Sequence, residues 1–241
     1  MSSGLDYFKE VYGAVPGWVE KMHVYRPDAL DHYTNLRSAI MGEGLLSGKE
    51  KDLLLVGINA ARCYERSMVY HTKGAIGGGA TIPELIEYLL IAYRHGGLMA
   101  LQTGIQSVKY ALSLKGLPEG QMPYGVCNEH VLSYFLSILE EEDAWFVSNI
   151  LKAPEELQDD LLLVSGVVSA KMKSLLMVGI NSTALRGMEA GQWMERARST
   201  GSTEGELAEV ALLCLLTAGI PAWFEASDSL REGGGYHSHR L

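Results

Sequence analysis

The sequence predicts an all-α protein made of two tandem helical repeats. Three observations carry this expectation. A long segment recurs 122 residues later, apolar residues fall at helical spacing between recognisable start and stop signals, and strand patterns are scarce.

The recurrence sets the architecture. LLLVGINAAR at 53–62 returns as LLMVGINSTA at 175–184. Residues 51–100 and 173–222 share 16 of 50 positions, against about three or four expected from composition. The matches include Lys51/Lys173, Gly57/Gly179, Asn59/Asn181, Gly79/Gly201, Glu84/Glu206, Glu87/Glu209 and Gly97/Gly219. Upstream, Trp18 precedes Pro27 by nine residues, as Trp145 precedes Pro154. The period is domain-sized, too long for a solenoid. Residues 1–120 are therefore expected as one unit carrying the candidate site, and residues 121–241 as a related, structural one.

The elements follow in order. Residues 49–61 place Leu53, Val56, Gly57 and Ala60 on one helical stripe. Residues 64–76 read as a second helix, stopped by Gly77-Gly78-Gly79. Thr81-x-x-Glu84 is a capping box with Pro83 in the first turn, where proline is tolerated. Thr203-x-x-Glu206 repeats the box after Gly201. A long apolar helix follows each box, IPELIEYLLIAY and EGELAEVALLCLL, and His95-Gly96-Gly97 reads as the first one's end. The main ambiguity is the β-branched run LLLVSGVVSA at 161–170. IGGGAT follows a helix and carries no lysine, so it reads as a helix–helix connection rather than a phosphate loop.

Composition narrows the function classes. With 47% hydrophobic residues the chain has material for a core without metal or disulfide staples. A net charge of −9 and no Lys/Arg run argue against nucleic acid as a partner. The odd cysteines Cys63, Cys127 and Cys214 form no disulfide framework, and Cys63 reads as a small buried hydrophobe. No apolar leader opens the sequence, and the apolar run 210–224 is too short for a bilayer and holds Pro221, so a cytoplasmic protein without membrane contact is expected. His237 and His239 alternate in a glycine-rich tail that reads as disordered. No metal-ligand motif or cofactor is expected.

DLLLVGINAARCYERSMVYHTKGAIGGGATIPELIEYLLIA resembles the carboxymuconolactone decarboxylase/AhpD-like superfamily. Its redox members carry an acidic residue, eleven residues, Cys-x-x-Cys, three residues and a histidine, then a Gly-Ala-Thr-like turn. Here Asp52 holds the acidic place, Tyr64 and Ser67 the two cysteine places, His71 the histidine, and Gly79-Ala80-Thr81 the turn. Glu65 matches an acidic residue often found after the first cysteine. The resemblance implies an all-helical homo-oligomer, for a two-repeat chain a trimer. It also implies a small-molecule substrate.

Tyr64 and Ser67 supply neither the attacking nor the resolving thiol of a peroxidase, and Cys63 lies one place early. Cofactor-free acid/base chemistry, as in the lactone decarboxylases of the superfamily, is the better analogy. Tyr64, Ser67 and His71 are expected on one helix face, with Asp52 from the preceding helix. His71 would move a proton, Asp52 orient it, Tyr64 and Ser67 bind substrate oxygens, and Arg66 or Lys73 neutralise an anion. The alternatives are an alkylhydroperoxidase-like, thiol-dependent antioxidant protein using Cys63, and a non-catalytic small-molecule-binding oligomer. In the second half, Ser174, Arg186, Glu189 and Trp193 replace Asp52, Tyr64, Ser67 and His71. Arg186 and Glu189 read as a pair on a helix face.

Overall fold

The structure is a computed structural model. It describes residues 4–119, 128–139 and 166–231, with Ala144, 147–149, Lys152 and Leu163 between them. The described residues contain helices and no strand. They fall into two compact units, Met1–Glu43 and Gly44–Leu241. Trp145, Pro154, Cys127, His237, His239 and residues 161, 162, 164 and 165 of the 161–170 run lie outside the described residues. The run's described positions are helical at Leu163 and Ala170 and bends at 166–168.

The smaller unit holds α1 (Gly4–Tyr12), α2 (Gly17–Tyr25) and α3 (Pro27–Met41). Pro27 starts α3 where a missing N–H costs nothing. Phe8, Val19 and Leu30 form the unit's core, and Trp18 packs edge-on to both Phe8 and Tyr33.

The larger unit contains α4 (Gly48–Ala61), α5 (Glu65–Gly77), α6 (Ile82–Leu114), α7 (Asn128–Ile138), α8 (Ala170–Thr183), α9 (Gly187–Ser199), α10 (Glu204–Ala218) and α11 (Ile220–Ser227). Matching sequence gives matching local structure. Ser47 caps α4 and Ser169 caps α8, each accepting the N–H three residues on. Both expected capping boxes form, at Thr81/Glu84 and Thr203/Glu206. Lys49 reaches Glu84 at 2.8 Å, and Lys171 reaches Glu206 at 2.6 Å. Gly79 and Gly201, at φ +90° and +94°, make the turns before these boxes, a conformation that L side chains resist.

The twin VGIN segments are buried helices packed against each other. A Cβ at Gly57 would meet the Leu176 side chain at 2.7 Å, and one at Gly179 would meet Ile58 at 2.5 Å. The glycines are the contact points that let α4 and α8 approach.

Two buried ion pairs cross between the halves. Lys51 Nζ lies 3.3 Å from Glu209, and Lys173 Nζ lies 2.9 Å from Glu87. Each carboxylate also accepts two backbone N–H groups of the segment before the partner lysine's helix. Glu209 takes Leu45 and Leu46, and Glu87 takes Val167 and Val168. Gly44 and Gly166 leave the space the two carboxylates fill. A buried charge is tolerated only when paired and hydrogen bonded, and these four side chains satisfy that condition reciprocally.

Two expectations need adjustment. The long helix runs to Leu114, because the chain breaks at Gly97 (φ 66°, ψ −161°) and resumes helical at once; Gly219 makes the same break between α10 and α11. Tyr64 is the N-cap of α5, not a helical residue, because α4 ends through a left-handed Cys63 (φ 55°) just before it. Leu185 repeats that left-handed position before Arg186, the N-cap of α9.

Candidate active site

The buried face of α5 is Met68, His71, Thr72 and Ala75, the spacing of an amphipathic helix. Thr72 fixes this face to α6 by a 2.5 Å hydroxyl–hydroxyl contact with Ser107. His71 therefore points inward and is only 4% exposed. A neutral imidazole buried there needs partners for its polar nitrogens.

Asp52 supplies one of them. It projects from α4, and its Oδ1 lies 2.8 Å from His71 Nδ1. With the carboxylate ionised, Nδ1 carries the proton and donates it to Asp52, which fixes the tautomer of the ring. Gly74 makes the approach possible, because a Cβ at that position would overlap the Asp52 carboxylate. A glycine inside a helix costs about 1 kcal/mol relative to alanine, so its presence there is a signal.

Ser67 lies one turn before His71 and is half-buried. Its Oγ accepts from Asn59 Nδ2 at 3.3 Å, while Asn59 Oδ1 accepts from Thr217 Oγ1 at 2.6 Å. Arg62 donates to the Thr217 carbonyl at 2.6 Å. Thr217 of α10 thus closes over the α4–α5 corner, and Asn59 bridges it to Ser67. Asn59 and Thr217 escape a reading by motif. The trace they leave in sequence is a polar asparagine inside the apolar, twice-used VGIN run, wholly buried in the fold.

The other candidates sit apart. Tyr64 is 46% exposed, and neither its side chain nor that of Glu65 hydrogen bonds to another described residue. Seven residues of helical rise, about 10 Å, separate Tyr64 from His71. Arg66 and Lys73 are exposed on α5. Cys63 is exposed, against the expectation of a buried hydrophobe, because the left-handed turn throws it outward; Cys214 is buried, which pushes its thiol up to about 12. Among the described residues no three His, Cys, Asp or Glu side chains group as a metal site. No described helix is long and apolar enough to cross a membrane.

At the corresponding corner of the second half, Ser174 is buried and donates to Ala170 O of its own helix. Arg186 and Glu189 do not pair, because Arg186 is a cap outside the helix.

Residues 27–109 match the model of the carboxymuconolactone decarboxylase family. In Burkholderia xenovorans LB400, a protein provisionally described as a gamma-carboxymuconolactone decarboxylase subunit has a similar structure, with a TM-score of 0.59 at 19% identity over 93% of both chains. A second protein of that organism, provisionally described as a carboxymuconolactone decarboxylase, covers 47% of this chain and 89% of its own, at 25% identity and a TM-score of 0.44. No curated protein matches.

Proposed function

From the match of residues 27–109 to the carboxymuconolactone decarboxylase family model we propose a cofactor-independent acid/base enzyme acting on a small carboxylated or lactone-like compound. The observation that carries the reading is the 2.8 Å contact between buried His71 and Asp52.

Loss of carbon dioxide breaks a carbon–carbon bond and leaves its electron pair on the substrate as an enolate. That pair needs a proton, and the charge needs stabilisation while it develops. His71, protonated at Nε2, delivers the proton to carbon and becomes neutral; solvent restores it. Asp52 fixes the ring for the transfer. Ser67 binds a substrate oxygen, held in place through Asn59 and Thr217. Tyr64 and Glu65 stand at the open end of α5, and Arg66 or Lys73 offsets the substrate's charge. The sequence repeat supports reading the chain as two tandem units, 1–120 and 121–241, and the family resemblance suggests a trimer of such chains, expected in the cytoplasm. Sedimentation of the purified protein tests the assembly.

The test of the chemistry is His71→Gln, assayed for carbon dioxide release and ring opening across a panel of carboxylated lactones. Turnover should fall by about 10²- to 10⁴-fold while the helical circular dichroism is kept. Unchanged turnover on a substrate the parent accepts removes His71 from the mechanism.

A further inference from the structure

Asn59 fixes the direction of a hydrogen-bond chain that ends on Ser67. Its Nδ2 lies 2.8 Å from the Leu55 carbonyl, which can only accept, so the amide nitrogen belongs on that side. Oδ1 then faces Thr217 Oγ1 at 2.6 Å and must accept from it. Thr217 uses its one O–H there. Its Oγ1 is left to accept from Arg62, a side chain with donors and no acceptor, 3.2 Å away. The second N–H of Asn59 goes to Ser67 Oγ at 3.3 Å. Donation therefore runs in one direction, from Arg62 to Thr217 to Asn59 to Ser67.

Ser67 accepts from Asn59, and its own O–H is left over. Other hydroxyls on these helices turn back to a carbonyl of their own helix: Thr72 to Met68 at 3.0 Å, Thr103 to Met99 at 3.0 Å, Ser174 to Ala170 at 2.9 Å and Ser182 to Val178 at 2.8 Å. Ser67 makes no such bond among the described residues. Half-buried and one turn before His71, it keeps its donor. The second half keeps the asparagine alone. Asn181 Nδ2 donates to the Met177 carbonyl at 2.8 Å, but Ala184, His95 and Glu189 stand where Arg62, Thr217 and Ser67 do. The alanine side chain has no donor to start the chain. Where the first half closes with Thr217 on Asn59, the second opens into a cavity of about 330 Å³ lined by His95, Asn181 and Glu189 among others.

We infer that Arg62, Thr217 and Asn59 are positioning residues that make Ser67 a hydrogen-bond donor to the substrate, and so select a substrate with an acceptor oxygen, a carboxylate or a lactone carbonyl, at that place. A group that only donates would take the remaining lone pair of Ser67 and strand its O–H, which disfavours it. Thr217 belongs to the second half, so that half shapes the specificity of the first half's site. The inference rests on the acid/base reading for the location of the site and adds the polarity of the group that Ser67 binds.

Calorimetric titration of the full chain with furan-2-carboxylate and with furfurylammonium tests it. Both are small five-membered oxygen rings; one presents an acceptor and the other a donor. The parent should favour the carboxylate, against the pull of a chain of net charge −9 on the cation. Ser67→Ala should weaken furan-2-carboxylate at least ~10-fold and change furfurylammonium little. Thr217→Val, of nearly the same shape, removes the donor to Asn59 and should weaken the carboxylate by roughly 5-fold, and Thr217→Ser should restore it. A purely structural role for Thr217 would move both probes alike or neither. If Thr217→Val loses its helical circular dichroism, the ratio of the two affinities in Ser67→Ala decides. An unchanged ratio in the variants, preference of the parent for the ammonium, or no carboxylate binding at millimolar concentration overturns the inference. Turnover lost in His71→Gln with carboxylate binding unmoved by Thr217→Val overturns this inference alone. Thr217-dependent binding with turnover unchanged in His71→Gln overturns the acid/base reading alone.

Discussion

Asp52 and Ser174 stand at the same place in the two halves. One reaches across to a histidine, while the other bonds back to its own helix. The position that faces Asp52 differs as well: Gly74 clears space for its carboxylate, and the residue 122 positions later is Arg196, exposed beside Trp193. Around both corners the frame is nearly the same, down to capping boxes, left-handed turns and crossed Lys–Glu pairs. Folding constrains the frame in both halves, because Lys51, Glu87, Lys173 and Glu209 are buried and paired across them. It does not constrain the corner, so one corner holds an acid–histidine pair and the other an open cavity.

Gly74→Ala should test how far the first corner depends on that clearance. The new methyl displaces Asp52 from His71, and turnover should drop by about 10² with little change in melting temperature. Arg196→Ala in the second half should leave turnover as it is. Comparable activity in Gly74→Ala and the parent breaks the asymmetry.

The frame itself should respond symmetrically. Glu87→Ala and Glu209→Ala each take the carboxylate away from a buried lysine and from two backbone N–H groups. Each should cost about 3–5 kcal/mol by urea unfolding. A large loss for one and none for the other breaks the equivalence of the two pairs.

Smaller effects should come from the caps. Thr81→Ala and Thr203→Ala should each cost about 1 kcal/mol. Acid should probe the same two boxes. Burial raises the pKa values of Glu84 and Glu206, but hydrogen bonds from Lys49 or Lys171 and from the cap N–H outweigh it, and both are held below the ordinary 4.5. A depressed carboxylate stabilises the fold above its unfolded pKa, and that contribution disappears as pH falls through the folded value. Lys49→Met and Lys171→Met should therefore narrow the gap between the melting temperatures at neutral pH and below pH 4.5. An unchanged gap removes these pairs from the acid response.

Much of this was written locally. Gly79, Thr81 and Glu84 specify a stop, a cap and a helix start within six residues, so the turn is legible without any partner. His71 and Asp52 were legible as a pair because the family spacing names them. Tyr64 was misplaced on a helix face because periodicity cannot see that a left-handed Cys63 ends the previous helix one residue earlier. Asn59, Thr217 and Gly74 were missed as site residues. Their roles depend on which side chain arrives from another helix, and sequence spacing does not encode that.

The sequence alone determined an all-helical chain with an internal 122-residue correspondence, the helix boundaries set by capping and glycine, and the asymmetry of the two corners. Those properties follow from short-range chemistry, in which a residue's neighbours within four positions set its backbone. The tertiary structure decided that Glu87 and Glu209 serve the opposite half, that Gly57 and Gly179 are contact points, that Thr217 closes one corner and that the other stays open. Each depends on helices far apart in the chain meeting at a few ångströms, where a hydrogen-bond partner or a missing methyl group settles the outcome.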